Sequence, residues 1–297
     1  MIIDAHSHVL MNPRIRYTPE ATTFMSAEQQ IAVMDKFGID KAVILPMSNP
    51  EILPEYQGLY EVLEICRKYP GRFIPFCNVD PRLTGSLLNV TADHFEFILN
   101  QYKAAGCMGL GEISAKIWWD DPRILNLFEA CQRVGFPVTF HTSIEASNDY
   151  GLMDDVGFPR FEKVLKMFPK LKFFGHSQGF WAEISGEVTK EEKAGYPKGP
   201  VAEGGAVVRL MEDYPNLYGD ISANSGLNAF LRDTEFAYRF IERFQDRLLF
   251  GLDYCSPDNE RKHIPWLQAA RDESKISSQA YDKIMYRNIA GILNIEI

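Results

Sequence analysis

Eight apolar runs of strand length recur along this chain: IIDAH, KAVILP from Lys41, FIPFCNVD from Phe73, CMGLGEI from Cys107, PVTFH from Pro137, KFFGH from Lys172, NLYGDIS from Asn216 and LLFGLD from Leu248. Their starts lie roughly 30 to 45 residues apart, the length of a βα unit, and the segments between them carry helical periodicity. Ser26 and Gln29 form an S-x-x-Q capping box ahead of Ile31, Met34 and Phe37 at helical spacing, with Gly38 as the stop. Asp121 and Pro122 likewise open a helix whose Leu125, Phe128 and Cys131 share one face before Gly135 ends it. Eight alternating β and α units predict a single-domain α/β protein over residues 1–297, a (β/α)8 TIM barrel rather than a doubly wound sheet. Two connections are longer than a barrel needs: Thr142 to about Phe158 after the fifth strand, and Ser177 to about Pro200 after the sixth. The second mixes aromatics, glycines and a run of Glu and Lys, and it is expected to be a lid or substrate loop over the barrel mouth rather than a plain surface insertion. The segment from Ser277 to Ile297 predicts two short closing helices.

The hydrophobic content of 46% supports a core of that size. Acidic residues outnumber basic ones 40 to 31, for a net charge of −9, which argues against a nucleic-acid surface and leaves small molecules as the expected partners. A two-fold homodimer is the default assembly. Five cysteines without a C-x-x-C pair form neither a disulfide framework nor a structural zinc site, so a reducing, cytoplasmic compartment fits. No apolar run approaches the length of a membrane span, and nothing ahead of the first strand resembles a secretory leader.

The chain has 6 histidines, and four of them fall at the ends of predicted strands: His6 and His8 at the first, His141 at the fifth and His176 at the sixth. Strand side chains alternate faces, so His6 and His8 point the same way, as a chelating pair requires. Glu112 ends the fourth strand and Asp253 the eighth. The C-terminal strand ends of a TIM barrel form one rim, where these six side chains would converge. Neutral imidazoles and carboxylates are ligands for divalent transition ions, and an ion with an open position activates water. Taken singly, each has a plainer reading: a hydrogen-bonded structural histidine, a glutamate that orients a histidine, an aspartate that caps a loop. His94, on a predicted helix, and His263, in a late loop, are left outside the set. Lys116, Trp118 and Trp119 after Glu112, and Phe180 and Trp181 after His176, are expected to wall a substrate pocket. Lys116, Arg160 and Lys198 are candidate partners for a substrate carboxylate or phosphate, and Cys255 is read as packing.

The H-x-H of DAHSH, the carboxylate of GLGEI, the histidines of VTFHTS and FFGHSQG and the aspartate of LLFGLDYCSP together resemble the metal-binding signature of the amidohydrolase superfamily. Within it the chain is most similar to the amidohydrolase-2 branch of TIM-barrel metal-dependent hydrolases, down to the closing YRNIAGIL. The resemblance implies a divalent metal cofactor, Zn²⁺ foremost, with one or two ions per chain. It assigns His6, His8 and Asp253 to the more buried ion, and His141 and His176 to a second ion or to the substrate. Glu112 resembles the bridging glutamate of TatD-like hydrolases. Decarboxylases of the same branch, acting on aminocarboxymuconate semialdehyde or resorcylate, share the histidines and the aspartate, use one metal, and are not expected to carry this glutamate. The implied activity is therefore hydrolysis of an amide, ester or lactone by activated water, with Asp253 as proton shuttle and His176 or a second metal polarising the electrophile. Decarboxylation or another C–C cleavage, and metal-dependent binding without turnover, are the competing expectations.

Overall fold

A computed structural model of the chain describes residues 1–16, 19–52, 56–83, 90–259 and 261–297. All eight predicted strands form: β1 (Ile3–Ser7), β2 (Lys41–Ile44), β3 (Phe73–Pro75), β4 (Leu110–Ile113), β5 (Val138–Ser143), β6 (Phe173–His176), β7 (Leu217–Asp220) and β8 (Leu248–Leu249). Every pairing among them is parallel. They lie in sequence order, β1 to β3 in one sheet and β4 to β8 in the other. Backbone hydrogen bonds join the two sheets along both seams. Cys77 and Gly111 amides donate to Gly109 and Cys77 carbonyls at 3.0 and 2.9 Å on one side, and Ala5 and Asp253 amides donate to Phe250 and His6 carbonyls at 2.8 and 2.9 Å on the other. This is the TIM-barrel plan. Strands covered on both faces need near-continuous apolar runs, which is why these segments do not alternate with polar residues.

The helices between strands follow their local signals. In α1 (Ala27–Phe37) both bonds of the Ser26–Gln29 capping box are made, and Gly38 closes the helix at φ +68°, a conformation that costs a residue without a Cβ nothing. The long connection after β5 carries a two-residue strand, Leu152–Met153, that extends the sheet beside Thr142 and Ser143. The one after β6 is no open lid at its start. It winds at once into a helical turn, Gln178–Trp181, and later into Lys190–Lys193. Lys193 is fully buried, donates to Glu183 Oε1 at 2.5 Å and to the Asp155 carbonyl at 2.8 Å, and lies 3.8 Å over the Phe158 ring. A buried cation must be paired in this way, and the pairing fastens the two long connections together. The closing segment is Ser278–Asp282, a π-helical turn at Lys283–Arg287, and Asn288–Leu293.

Three aromatics expected to wall a pocket belong instead to the core: Trp119, Phe180 and Trp181 are 0%, 0% and 2% exposed. Trp119 packs within 4.2 to 5.7 Å of the rings of Phe161, Phe140 and Phe128, and Trp181 within 5.5 Å of Phe230. Glycines on neighbouring strands admit the other two. A Cβ at Gly175 would fall 2.5 Å from the Phe180 ring, and one at Gly219 would fall 2.9 Å from Trp181. Large rings stabilise most where they are wholly removed from water. Among the described residues no helix is long and apolar enough to cross a membrane.

Replacing Trp119 by Ala is expected to lower stability by about 3–5 kcal/mol in urea unfolding, the usual cost of deleting a buried aromatic. A loss below about 1 kcal/mol would show that the indole is not a core element.

Candidate metal centre

His6 lies in β1 and His8 just past its end, 0% and 6% exposed. The Nδ1 of His6 meets Asp220 Oδ2 at 2.6 Å, and the Nδ1 of His8 meets the Leu45 carbonyl at 2.9 Å. A carbonyl oxygen and a carboxylate can only accept, so both rings carry a proton on Nδ1 and turn Nε2 inward. The two Nε2 atoms then face each other at 3.1 Å. Asp253 Oδ1 stands 3.7 Å from His6 Nε2 and 3.5 Å from His8 Nε2. These separations are close to the about 3.4 Å edge of a tetrahedron with bonds of about 2.1 Å.

Glu112 on β4 is 2% exposed and divides its oxygens between two sides. Oε2 lies 3.3 Å from His8 Nε2 and 3.7 Å from His6 Nε2, while Oε1 lies 2.8 Å from His141 Nδ1 and 3.9 Å from His176 Nε2. His141 ends on Asp149 Oδ2 at 3.3 Å through its other nitrogen, and His176 Nδ1 meets Ser222 Oγ at 2.9 Å. Three overlapping triplets, His6/His176/Asp253, His6/His8/Glu112 and Glu112/His141/His176, bring ligand atoms within 4.8 Å of one another. Imidazole nitrogens and carboxylate oxygens brought this close in a buried cluster match the donor set of a divalent cation.

Without one, protons take its place. Burial opposes charge on His6, but Asp220 and Asp253 outweigh it and hold its pKa well above the ordinary value. Burial also opposes charge on His141, where Asp149 and Glu112 raise the pKa to about 9. His176 goes the other way, pushed by burial and by neighbouring His6 down to about 4. Glu112 is held well below the usual carboxylate range by His141, His6 and His8 against the effect of burial.

The structure thus brings together all six residues predicted at the rim, and it adds residues that the strand-end reading passed over. Asp220 ends β7 as visibly as Glu112 ends β4, so the same signal would have found it. Ser222, Asp149 and Asn78, which donates to the Glu112 carbonyl at 2.7 Å, carried no such signal.

A cavity of about 570 Å³ opens above this cluster. Of the six rim residues only His8, Glu112 and Asp253 reach it, and Phe24, Met47, Ile52 and Tyr150 supply its apolar wall. None of Lys116, Trp118, Trp119, Phe180 or Trp181 lines it. The Lys116 ammonium is turned to the Ser147 carbonyl, and Trp118 lies 4.2 Å beneath the Arg160 guanidinium, which pairs with Asp155. His176 is 3% exposed and does not line the cavity. Cys255 does line the cavity, with burial pushing its thiol up to about 12, so it stays protonated and packs.

A family model described as amidohydrolase matches residues 3–295. Among solved structures, the chain is similar to an uncharacterised TIM-barrel protein of Bordetella bronchiseptica, at 18% identity over 99% of this chain and 98% of that one, with a TM-score of 0.66. It is similar to an amidohydrolase of Burkholderia multivorans with bound zinc, at 12% identity over 100% of both chains and a TM-score of 0.61. It also resembles the 5-carboxyvanillate decarboxylase of Novosphingobium aromaticivorans complexed with manganese, at 15% identity over 99% of this chain and 96% of that one, with a TM-score of 0.59. The search of curated proteins finds no match. At these identities the structural likenesses show the fold.

Ligation requires neutral imidazoles, so metal binding should release protons. His141, with its pKa near 9, is protonated at pH 7 in the metal-free protein, as is His6, whereas His176 near 4 is already neutral. Calorimetric titration with Zn²⁺ in buffers of different ionisation enthalpy should therefore show proton release at pH 7 that falls as pH rises through 9. Unchanged affinity and proton release in the double variant His6→Ala/His8→Ala would refute the assignment.

Proposed function

The chain belongs to the amidohydrolase family, and on that premise we propose that it is a metal-dependent hydrolase acting on an amide, ester or lactone of a small molecule. The observation that carries this reading is the Glu112 carboxylate, whose two oxygens face two different imidazole pairs, His6/His8 and His141/His176. With such a carboxylate between them, His6, His8 and Asp253 would hold one cation and His141 and His176 a second. Divalent ions held there supply Lewis acidity toward a carbonyl oxygen and make water more acidic.

The chain's own residues handle the proton and the substrate. Asp253 lies on the cavity floor with its side chain 16% exposed, so one carboxylate oxygen can take the proton of the attacking water and return it to the leaving group. Its backbone sits at φ +53°, a left-handed conformation that aspartate tolerates better than most residues. The amide bond to the His6 carbonyl and the Arg261 guanidinium on the Leu252 and Asp253 carbonyls hold that turn in place. Tyr150 stands in the cavity wall with its ring 4.3 Å from His141. Burial and the charges of Glu112, Asp253 and Asp149 push the phenol well above its ordinary pKa, so it remains a donor to a substrate oxygen.

Two substitutions test the reading. Glu112→Gln should lower the saturated metal content, measured by elemental analysis, from about two ions per chain toward one, and should abolish most hydrolysis of a lactone and ester panel. A wild type that never exceeds one ion and releases CO₂ from aromatic acids would replace hydrolysis by decarboxylation. Asp253→Asn, assayed at full metal occupancy, should lose about 10²- to 10⁴-fold in kcat, the share that general acid–base catalysis supplies. A loss within about threefold would remove Asp253 from the proton path.

A further inference from the structure

We propose, building on the hydrolase reading, that this site takes acyl substrates bearing a positive charge on the part that points away from the scissile bond. The cavity lining carries the carboxylates of Glu20, Glu51, Glu112, Asp253 and Asp258, and neither lysine nor arginine is among its described residues. Three of these have evident counter-charges. Glu112 and Asp253 belong to the metal set, and Glu51 is held bidentately by Arg82 at 2.6 and 2.8 Å. Glu20 and Asp258 make no ion pair with any described residue, and both stand exposed at the outer end.

Their placement is built into the fold. Met25 donates its amide to the Cys255 carbonyl at 2.8 Å, and Thr22 and Ser256 share a hydroxyl hydrogen bond of 2.6 Å. These bonds fasten the segment bearing Glu20 to the segment bearing Asp258, so two like charges are held at one rim. Nearby cations are turned elsewhere. Arg16 donates to the Pro19 carbonyl at 3.4 Å, and Arg261 to the carbonyls of Leu252 and Asp253 at 2.9 and 3.2 Å. Phe24 and Tyr150 line the same wall, and aromatic rings favour a cation beside them. At the inner end, His8 and Glu112, 6% and 2% exposed, line the same space. The cavity therefore has two electrical ends, a metal-set floor for the electron-rich acyl oxygen and an anionic mouth for a cation. A substrate carboxylate at the mouth would meet the like charges of Glu20 and Asp258.

The test uses the Zn²⁺-loaded protein and three methyl esters of one shape: methyl 4-(aminomethyl)benzoate, methyl 4-(hydroxymethyl)benzoate and methyl 4-carboxybenzoate, which are cationic, neutral and anionic at pH 7. Binding is measured by calorimetry and turnover by ester hydrolysis. The cationic ester should bind at least about tenfold more tightly than the anionic one at low salt, and the ratio should shrink toward one in about 0.5 M NaCl as the mouth charges are screened. Glu20→Gln/Asp258→Asn should erase the preference, and Glu20→Lys/Asp258→Lys should reverse it. Equal or tighter binding of the anionic ester, a ratio that these variants leave unchanged, or no binding by any of the three overturns the inference. Cation-selective binding without hydrolysis supports it while counting against the hydrolase reading, and hydrolysis without charge preference does the opposite.

Discussion

Two imidazole nitrogens pointed at one another, with their partner nitrogens already committed, form the constraint around which this molecule is organised. His6 and His8 face each other at 3.1 Å because Asp220 and the Leu45 carbonyl fix their opposite sides. Removed from water, such an arrangement is costly until a positive charge enters it. The surrounding carboxylates supply the field that draws one in, and they raise the proton affinity of His6 and His141 when nothing else is there. The same field therefore sets up competition between protons and metal, and the pH dependence of the site follows from that competition.

The barrel meets this constraint because parallel strands end on one rim. His6, Glu112, His141 and His176 sit on short strands paired with their neighbours, and His8 and Asp253 follow the ends of β1 and β8, so the side chains inherit the rigidity of the sheet. His141 and His176 are register partners across β5 and β6, which puts both rings over the same edge of Glu112. Behind them the supporting bonds reach further. Asp220 contacts His6 directly and also lies 3.6 Å from His176 Nδ1, so one carboxylate on β7 braces rings from both sheets. Support of this kind sets tautomer and orientation as much as the ligands themselves do.

Chemistry and packing divide the aromatic residues between them. Trp119, Phe180 and Trp181 lie next to ligands in the chain but face outward from the rim into the helical layer, where they join the core. The cavity is walled instead by Phe24, Met47 and Ile52 from the β1 and β2 connections and by Tyr150 from the β5 connection. Half of the rim is thus stiffened from behind, while the opposite half shapes the entrance and carries its charge.

The strands, the helix caps and the strand-end histidines and carboxylates were legible in the chain itself, because each is a local matter. The Ser26–Gln29 box closes within three residues, and the His6–His8 pair follows from the two-residue repeat of a strand. Given the barrel, Glu112, His141, His176 and Asp253 had to share a rim with that pair. What the chain alone did not disclose is which groups brace the rim side chains and which line the cavity. Asp220 is 214 residues from the histidine it holds, and Trp119 has the same neighbours in sequence whether it turns toward the cavity or the core. Only the assembled structure decides such questions, because the free energy of burying a ring or pairing a charge depends on atoms that the fold brings together from distant parts of the chain.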